Sequence, residues 1–468
     1  MKPVTQQSAV ELLALLGESK ISPSELANEY ITQIERLNPR LNAVVDFEAE
    51  RVREQARALQ QSTPRGPLYG FPITVKASIS VAGHRCELGS LINRGTVPTE
   101  DAVVVARARQ AGAIILGITN TPEFLMAYES DNRLYGRVNS PWSLDYTPGG
   151  SSGGESAAIA AGLSAGGFGS DSGGSVRVPA HFTGICALKP TPGRFPSRGH
   201  LPACVGPFSI LGAIGPMART VDDVSLLFNV LGGQDTADPV SPPVPHRQMS
   251  LDDLKRMRIG YFEDDGLTPV TPETRQAVQD TVRSLQKQGF DARPFRPNGL
   301  EQARKLWWTF FVRCGAMFFE PTVRGHEELL SPIFQEFLQI AHCEPALTAG
   351  ELLNAWAECD VVRSRLLEQM REFPVLLCPV CSIPAFRHGE RKWNVDGREI
   401  EYLDAMRYTQ WFNLLAAPAV VVPVGRSPEG LPIGVQVVAR PYEDEIALAI
   451  ASAIDREFGF VAPPLTSQ

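Results

Sequence analysis

Between Gly149 and Ser175 lie 27 residues, of which ten are glycine and seven are serine. Glycine has no side chain to pack, and folding must freeze its extra backbone freedom. A flexible linker is the simplest outcome of such a composition. Against that outcome, residues 157–163 form a small-residue helical run, Ala-Ala-Ile-Ala-Ala-Gly-Leu. Two charges, Asp171 and Arg177, also stand within or beside apolar sequence. The segment therefore reads as folded, with its glycines serving backbone geometry.

Three chemistries compete for it. Gly149-Gly150-Ser151-Ser152-Gly153 fits the G-x-S-x-G elbow of α/β-hydrolases, but that turn needs a buried strand before it, and residues 140–148 read as loop. A phosphate loop needs G-x-x-x-x-G-K-[ST], which is absent, and Gly167-Phe168-Gly169 lacks the third glycine of G-x-G-x-x-G. The third is covalent catalysis by serine. Backbone N–H groups in Asp171-Ser172-Gly173-Gly174-Ser175 can converge on a developing oxyanion. The base is open: none of the seven histidines has a diagnostic setting. Lys76 ends an apolar strand, Phe71 to Val75, and burial there would lower its pKa; a solvated strand-end charge is the competing reading.

Apolar runs at 43–47, 71–75 and 113–118 alternate with helical stretches at 48–61 and 101–110. Such alternation predicts an α/β fold. Ser8 with Glu11 and Ser22 with Glu25 form capping boxes, the second with Pro23 at the first helical position, and Asn38-Pro39 ends that helix. Residues 239–245 read as a surface connection and 258–262 as a strand. An amphipathic helix at 272–288 opens a mostly helical, aromatic-rich region of about 240–372. Strands at 376–378, 419–424 and 430–438 follow, so residues 1–468 read as one domain carrying a variable helical region.

A net charge of −8 excludes broad binding to nucleic acid or to anionic membranes. The eight scattered cysteines do not form a disulfide scaffold, and the N-terminus lacks an apolar signal core. A cytoplasmic location is the expectation.

The block from Pro148 to Ser156, the block from Gly169 to Ala180 and Leu188-Lys189-Pro190-Thr191 resemble the amidase signature family. Gly70 to Lys76, Thr119 to Phe124, Asn139 to Trp142, Asn413 to Ala419 and Gly430 to Gln436 resemble its flanking segments. The resemblance implies a large mixed central β-sheet covered by helices on both faces. It also implies a Ser–cis-Ser–Lys triad: Ser175 as nucleophile, Ser151 as proton relay after a cis Gly150–Ser151 peptide, and Lys76 as neutral base. The N–H groups of Ser172, Gly173, Gly174 and Ser175 would form the oxyanion hole. Ser152 and an Asp171–Arg177 ion pair would support it. No cofactor or metal is implied. The chain departs from the family in having Ala77, where members often carry Asp, and Glu155 matches the fatty-acid amide hydrolase branch.

The implied reaction is hydrolysis of small apolar or aryl amides, with carbamates and esters as possible extensions. The alternatives are the glutaminase subunit of a tRNA-dependent amidotransferase and a silent binding protein. The expected partner is a small-molecule amide, with a homodimer as a further possibility. Six aromatics fall between Trp307 and Phe319, a helix core or a pocket wall, and Leu125, Trp308, Phe311 and Arg313 are the pocket candidates. Cys378-Pro379-Val380-Cys381 reads as small buried residues rather than a zinc site, because no further ligands are near. Ser284-Leu285-Gln286-Lys287 mimics S-x-x-K, with Ser284 expected toward solvent.

Overall fold

The structure, a computed structural model, describes residues 2–61 and 65–467. Among them, eleven strands join in one mixed sheet. They are β1 (Val44–Asp46), β2 (Pro72–Lys76), β3 (Ile114–Thr119), β4 (Gly166–Asp171), β5 (Cys186–Lys189), β6 (Ala213–Ala218), β7 (Arg258–Tyr261), β8 (Asp291–Pro294), β9 (Val375–Pro379), β12 (Ala419–Arg426) and β13 (Pro432–Ala439). A separate hairpin pairs β10 (Lys392–Val395) with β11 (Arg398–Glu401). The spatial order is β1-β3-β2-β4-β6-β5-β12-β13-β9-β7-β8. Strand β2 is parallel to β3 and β4, and β7 is parallel to β8 and β9. From β4 through β6, β5, β12 and β13 to β9, every pair is antiparallel.

The valine run of β12 shows why the sheet needs cover on both faces. Val420 and Val422 join a core with Val278, Leu285, Ile450 and Ile454, from the helices Pro272–Lys287 and Asp444–Phe458. Val421 faces the other way, toward Val178 and Phe182 of the helix Arg177–Thr183. A strand apolar on both faces must be buried on both.

Strand β4 carries Gly166, Gly167 and Gly169, which lets the helix Gly153–Ala160 lie close against the sheet. A Cβ on Gly167 would fall 2.1 Å from Glu155 Oε1. From Gly149 to Ser175 every residue is buried except the half-buried Ser172, so the stretch is packed interior. Because β2 and β4 are parallel neighbours, Lys76 and Asp171 reach the same edge of the sheet at their C-terminal ends.

The 240–372 region adds the helices Leu300–Trp307, Cys314–Val323, Pro332–His342 and Ala349–Gln369. A π-helical turn, Trp308–Arg313, links the first two. Their aromatics form a second core with Phe124 and Trp411.

Two expectations fail locally. The Pro23–Leu41 helix passes through Pro39 and ends at Asn42 in the left-handed conformation. A proline so near the C-terminus removes only one helical bond, and Asn38 Oδ1 accepts from the N–H groups of Ala43 and Val44 beyond it. Ser284 is buried, not solvent-facing, and accepts from Gln288 Nε2. Its helix packs against Asp444–Phe458 as well as the sheet, so its buried face is wider than the apolar stripe. Lys287 is exposed, so no S-x-x-K pair forms there. Cys378 and Cys381 are buried free thiols, and burial pushes both up. No described helix is long and apolar enough to cross a membrane.

Candidate active site

Lys76 is fully buried at the end of β2. Its Nζ lies 2.7 Å from Ser151 Oγ, 3.0 Å from Ser152 Oγ and 3.1 Å from Ser170 Oγ. Its Nζ also lies 3.5 Å from the Ser170 carbonyl oxygen, so its hydrogen-bond partners are neutral oxygens and none is a carboxylate. Burial pulls the amine down to about 7, although the charges of Asp171 and Glu155 pull it upward. An amine in that range exchanges its proton near neutral pH.

Ser151 is fully buried, and the Gly150–Ser151 peptide is cis. The Ser151 carbonyl accepts from Thr121 Oγ1 at 2.8 Å, which anchors the turn. No strand leads directly into Gly149 among the described residues; only an isolated bridge at Tyr146 stands just before it, so the elbow geometry of α/β-hydrolases is absent. Ser175 lies beyond β4, and its carbonyl accepts from the Ser152 N–H at 3.1 Å. Ser151, Ser170, Ser172 and Ser175 line one cavity. Lys76, Ser151, Ser152 and Ser175 are thus brought together from three separate segments.

Asp171 and Arg177 pair as expected. Arg177 Nη2 and Nε reach the two carboxylate oxygens at 2.9 and 3.0 Å, and both side chains are fully buried. Arg177 also donates to the Thr409 carbonyl and to Gln436, and Asn413 Nδ2 donates to Asp171 Oδ1. Burial alone would push the Asp171 carboxyl up, but Arg177, Lys189 and Asn413 hold it well below the usual carboxylate range.

One expected oxyanion donor is otherwise engaged. The Gly174 N–H donates to Asp171 Oδ1 at 2.8 Å, so it is not free for a substrate. Gly174 has φ +127°, and a Cβ there would meet Thr409 Oγ1 at 2.4 Å. The carbonyls of the turn point away from the cavity: Ser172 O accepts from Trp307 Nε1, and Gly173 O from Tyr128 Oη and Thr409 Oγ1. In a trans peptide the N–H opposes the C=O, so the Ser172 carbonyl at Trp307 turns the Gly173 N–H the other way. Tyr128, Trp307 and Thr409, far apart in sequence, therefore orient this loop, and no local motif marks them.

Of the four pocket candidates, Leu125 and Phe311 line the serine cavity. Trp308 and Arg313 do not. Trp308 lines a different and larger cavity of about 570 Å³, where its Nε1 donates to Glu344. Arg313 pairs with Glu344 at 3.1 Å and donates to the Pro345 carbonyl, while Glu320 pairs with Arg324. The rest of the serine cavity wall is Met126, His200, Pro202, Ala203, Cys204, Phe208, Phe318 and Phe319.

Glu155 is buried beside this centre, accepting from Thr74 Oγ1 at 2.6 Å and Thr119 Oγ1 at 2.8 Å. Burial pushes it up to about 8, against those hydroxyls and the Lys76 charge.

The amidase family matches this chain over residues 25–448. The chain is 32% identical to an acylamidase of Rhodococcus erythropolis over 454 residues, which is 95% of this chain and 94% of the relative. It is 31% identical to a glutamyl-tRNA(Gln) amidotransferase subunit from Roseiflexus castenholzii, covering 97% of this chain and 96% of that one. A bacterial aryl acylamidase of solved structure superposes with a TM-score of 0.85 at 25% identity, over 97% of each chain. The chain belongs to the amidase family and is an amide hydrolase.

Arg177→Met would leave Asp171 buried without its partner. A loss of about 3–5 kcal/mol in unfolding free energy is expected, measured by denaturant titration.

Proposed function

We propose that this chain hydrolyses small apolar or aryl amides through an acyl-enzyme on Ser175. The observation that carries this reading is the fully buried Lys76 amine, bonded to Ser151 and held to about 7. Neutral Lys76 accepts a proton from the Ser151 hydroxyl, and Ser151 takes the proton of Ser175. Ser175 Oγ then adds to the substrate carbonyl. The N–H groups of Ser172, Gly173 and Ser175 face the oxyanion, with Gly174 left to Asp171. The proton returns through Ser151 to the leaving nitrogen, the C–N bond breaks and an amine departs. Water then cleaves the ester on Ser175 by the same relay. Ser152 and Ser170 hold Lys76, and Asp171 with Arg177 holds the loop. Residues 1–468 act as one unit in this reading.

The apolar wall of Leu125, Met126, Phe208, Phe311, Phe318 and Phe319 supports apolar or aryl substrates. The likeness to an amidotransferase subunit favours glutamine as a second reading. Glutamine carries an α-ammonium and an α-carboxylate, which need charged or strongly polar partners once buried. Among the described residues, no Lys, Arg, Asp or Glu lines the serine cavity. Turnover of anilides and aliphatic amides by the chain alone, with glutamine untouched, is expected from a panel that also contains carbamates and esters. Glutamine as the preferred substrate would overturn the reading.

The base must be unprotonated, so kcat/KM is expected to rise with pH through about 7 and then level off. Glu155, pushed up to about 8, is mostly protonated where Lys76 titrates, so Glu155→Gln is expected to leave that limb in place. Initial rates across pH 5 to 9 provide the check, and a limb moved to lower pH would show an ionised Glu155 acting on the base.

A further inference from the structure

One buried group in the serine cavity has no part in this chemistry. His200 lies in the loop after β5, only 7% exposed, and its backbone bridges to Ile79, three residues past Lys76. It shares a wall with Ser151, Ser170, Ser172 and Ser175. Its Nδ1 is 2.9 Å from the Pro202 carbonyl oxygen. A carbonyl oxygen only accepts, so Nδ1 carries the proton and Nε2 carries the lone pair. Cys204 Sγ, 3.7 Å from Nδ1, leaves this assignment intact, because a thiol proton there would set two acceptors against each other at 2.9 Å. Burial, helped by the Lys76 charge and opposed by the Pro202 bond, brings the imidazole down to about 4. The ring is therefore neutral at working pH.

Nε2 is buried and has no hydrogen-bond partner among the described residues. Buried acceptors are almost always paired, so this nitrogen calls for a donor that no described residue supplies. The serines on the wall both donate and accept; this nitrogen only accepts. An amide brings one matching group into the cavity, the N–H of the scissile bond, and an ester of the same shape has none.

We infer that His200 is a specificity-determining residue whose Nε2 accepts a hydrogen bond from the scissile N–H of the amide. The contact selects amides over isosteric esters: an ester would set its own oxygen lone pair against that of Nε2. It also fixes the direction of the nitrogen lone pair, because with its N–H held by His200 the nitrogen turns that pair elsewhere, toward a proton donor. This inference rests on the reading that Ser175 attacks the substrate within this cavity.

The test compares an anilide with the phenyl ester of the same acid, in the wild type and in three variants of His200. His200→Leu removes the acceptor and is expected to lower the amide-to-ester ratio of kcat/KM by roughly 10-fold or more. His200→Gln places an amide oxygen in reach and is expected to recover most of that ratio. Thermal melting shows whether each variant folds, and His200→Phe, which keeps a planar ring, takes the place of the leucine variant if that one does not. An unchanged ratio overturns the inference, whether both substrates fall together, as packing alone predicts, or neither falls. Ser175→Ala separates the two claims. If it keeps both activities, the nucleophile reading fails. If it loses both while the His200 variants leave the ratio unmoved, only this inference fails.

Discussion

An amine taken wholly out of water is the constraint on which this structure turns. Lys76 ends β2 among three serine hydroxyls with no carboxylate in contact, so burial costs its charged form more than the surroundings return. The same lysine at the surface would stay protonated near 10.4 and could take no proton at neutral pH. Strand β2 can hold it there because β3 and β4 flank it in parallel register and helices close both faces of the sheet. The sheet architecture thus sets the chemistry of one nitrogen.

A second buried charge does the opposite. Arg177 and Asp171 satisfy each other in two hydrogen bonds, and Asn413, Gln436 and the Thr409 carbonyl take up the remaining capacity. Asp171 stays ionised and draws in the Gly174 N–H. Lys76 and Asp171 stand at one edge of one sheet, yet burial pulls the first toward neutrality while paired charge keeps the second ionised. Glu155 behaves as the lysine does, rising toward neutrality between two threonine hydroxyls.

Much of this was legible in the sequence. The apolar run ahead of Lys76 forecast a strand but left open whether the lysine at its end is buried or solvated, and the glycines between Gly149 and Ser175 forecast a folded segment with unusual backbone angles. The apolar run at 419–424 forecast a strand, which the structure buries on both faces. What failed was orientation. Residue types in Asp171-Ser172-Gly173-Gly174-Ser175 cannot say which peptide N–H turns inward, and the Asp171 side chain claimed that of Gly174. Trp308 and Arg313 were misplaced because a dense aromatic cluster does not say which of its members face the cavity, and a π-helical turn winds through it. His200 comes from a loop without periodicity, Phe208 opens a one-turn helix, Phe208–Leu211, too short to show any, and Tyr128, Thr409 and Trp307 reach the serine turn only through tertiary packing.

The central claim is that Ser175 forms a covalent acyl intermediate through a relay ending at Lys76. Intact-mass spectrometry of enzyme quenched during turnover of a slow aryl carbamate, followed by peptide mapping, tests it most directly. The account predicts a mass increase equal to the carbamoyl group, located on Ser175, and a strongly reduced rate of labelling in Lys76→Ala. Turnover with no adduct at any stage, or an adduct carried by another residue, would contradict it.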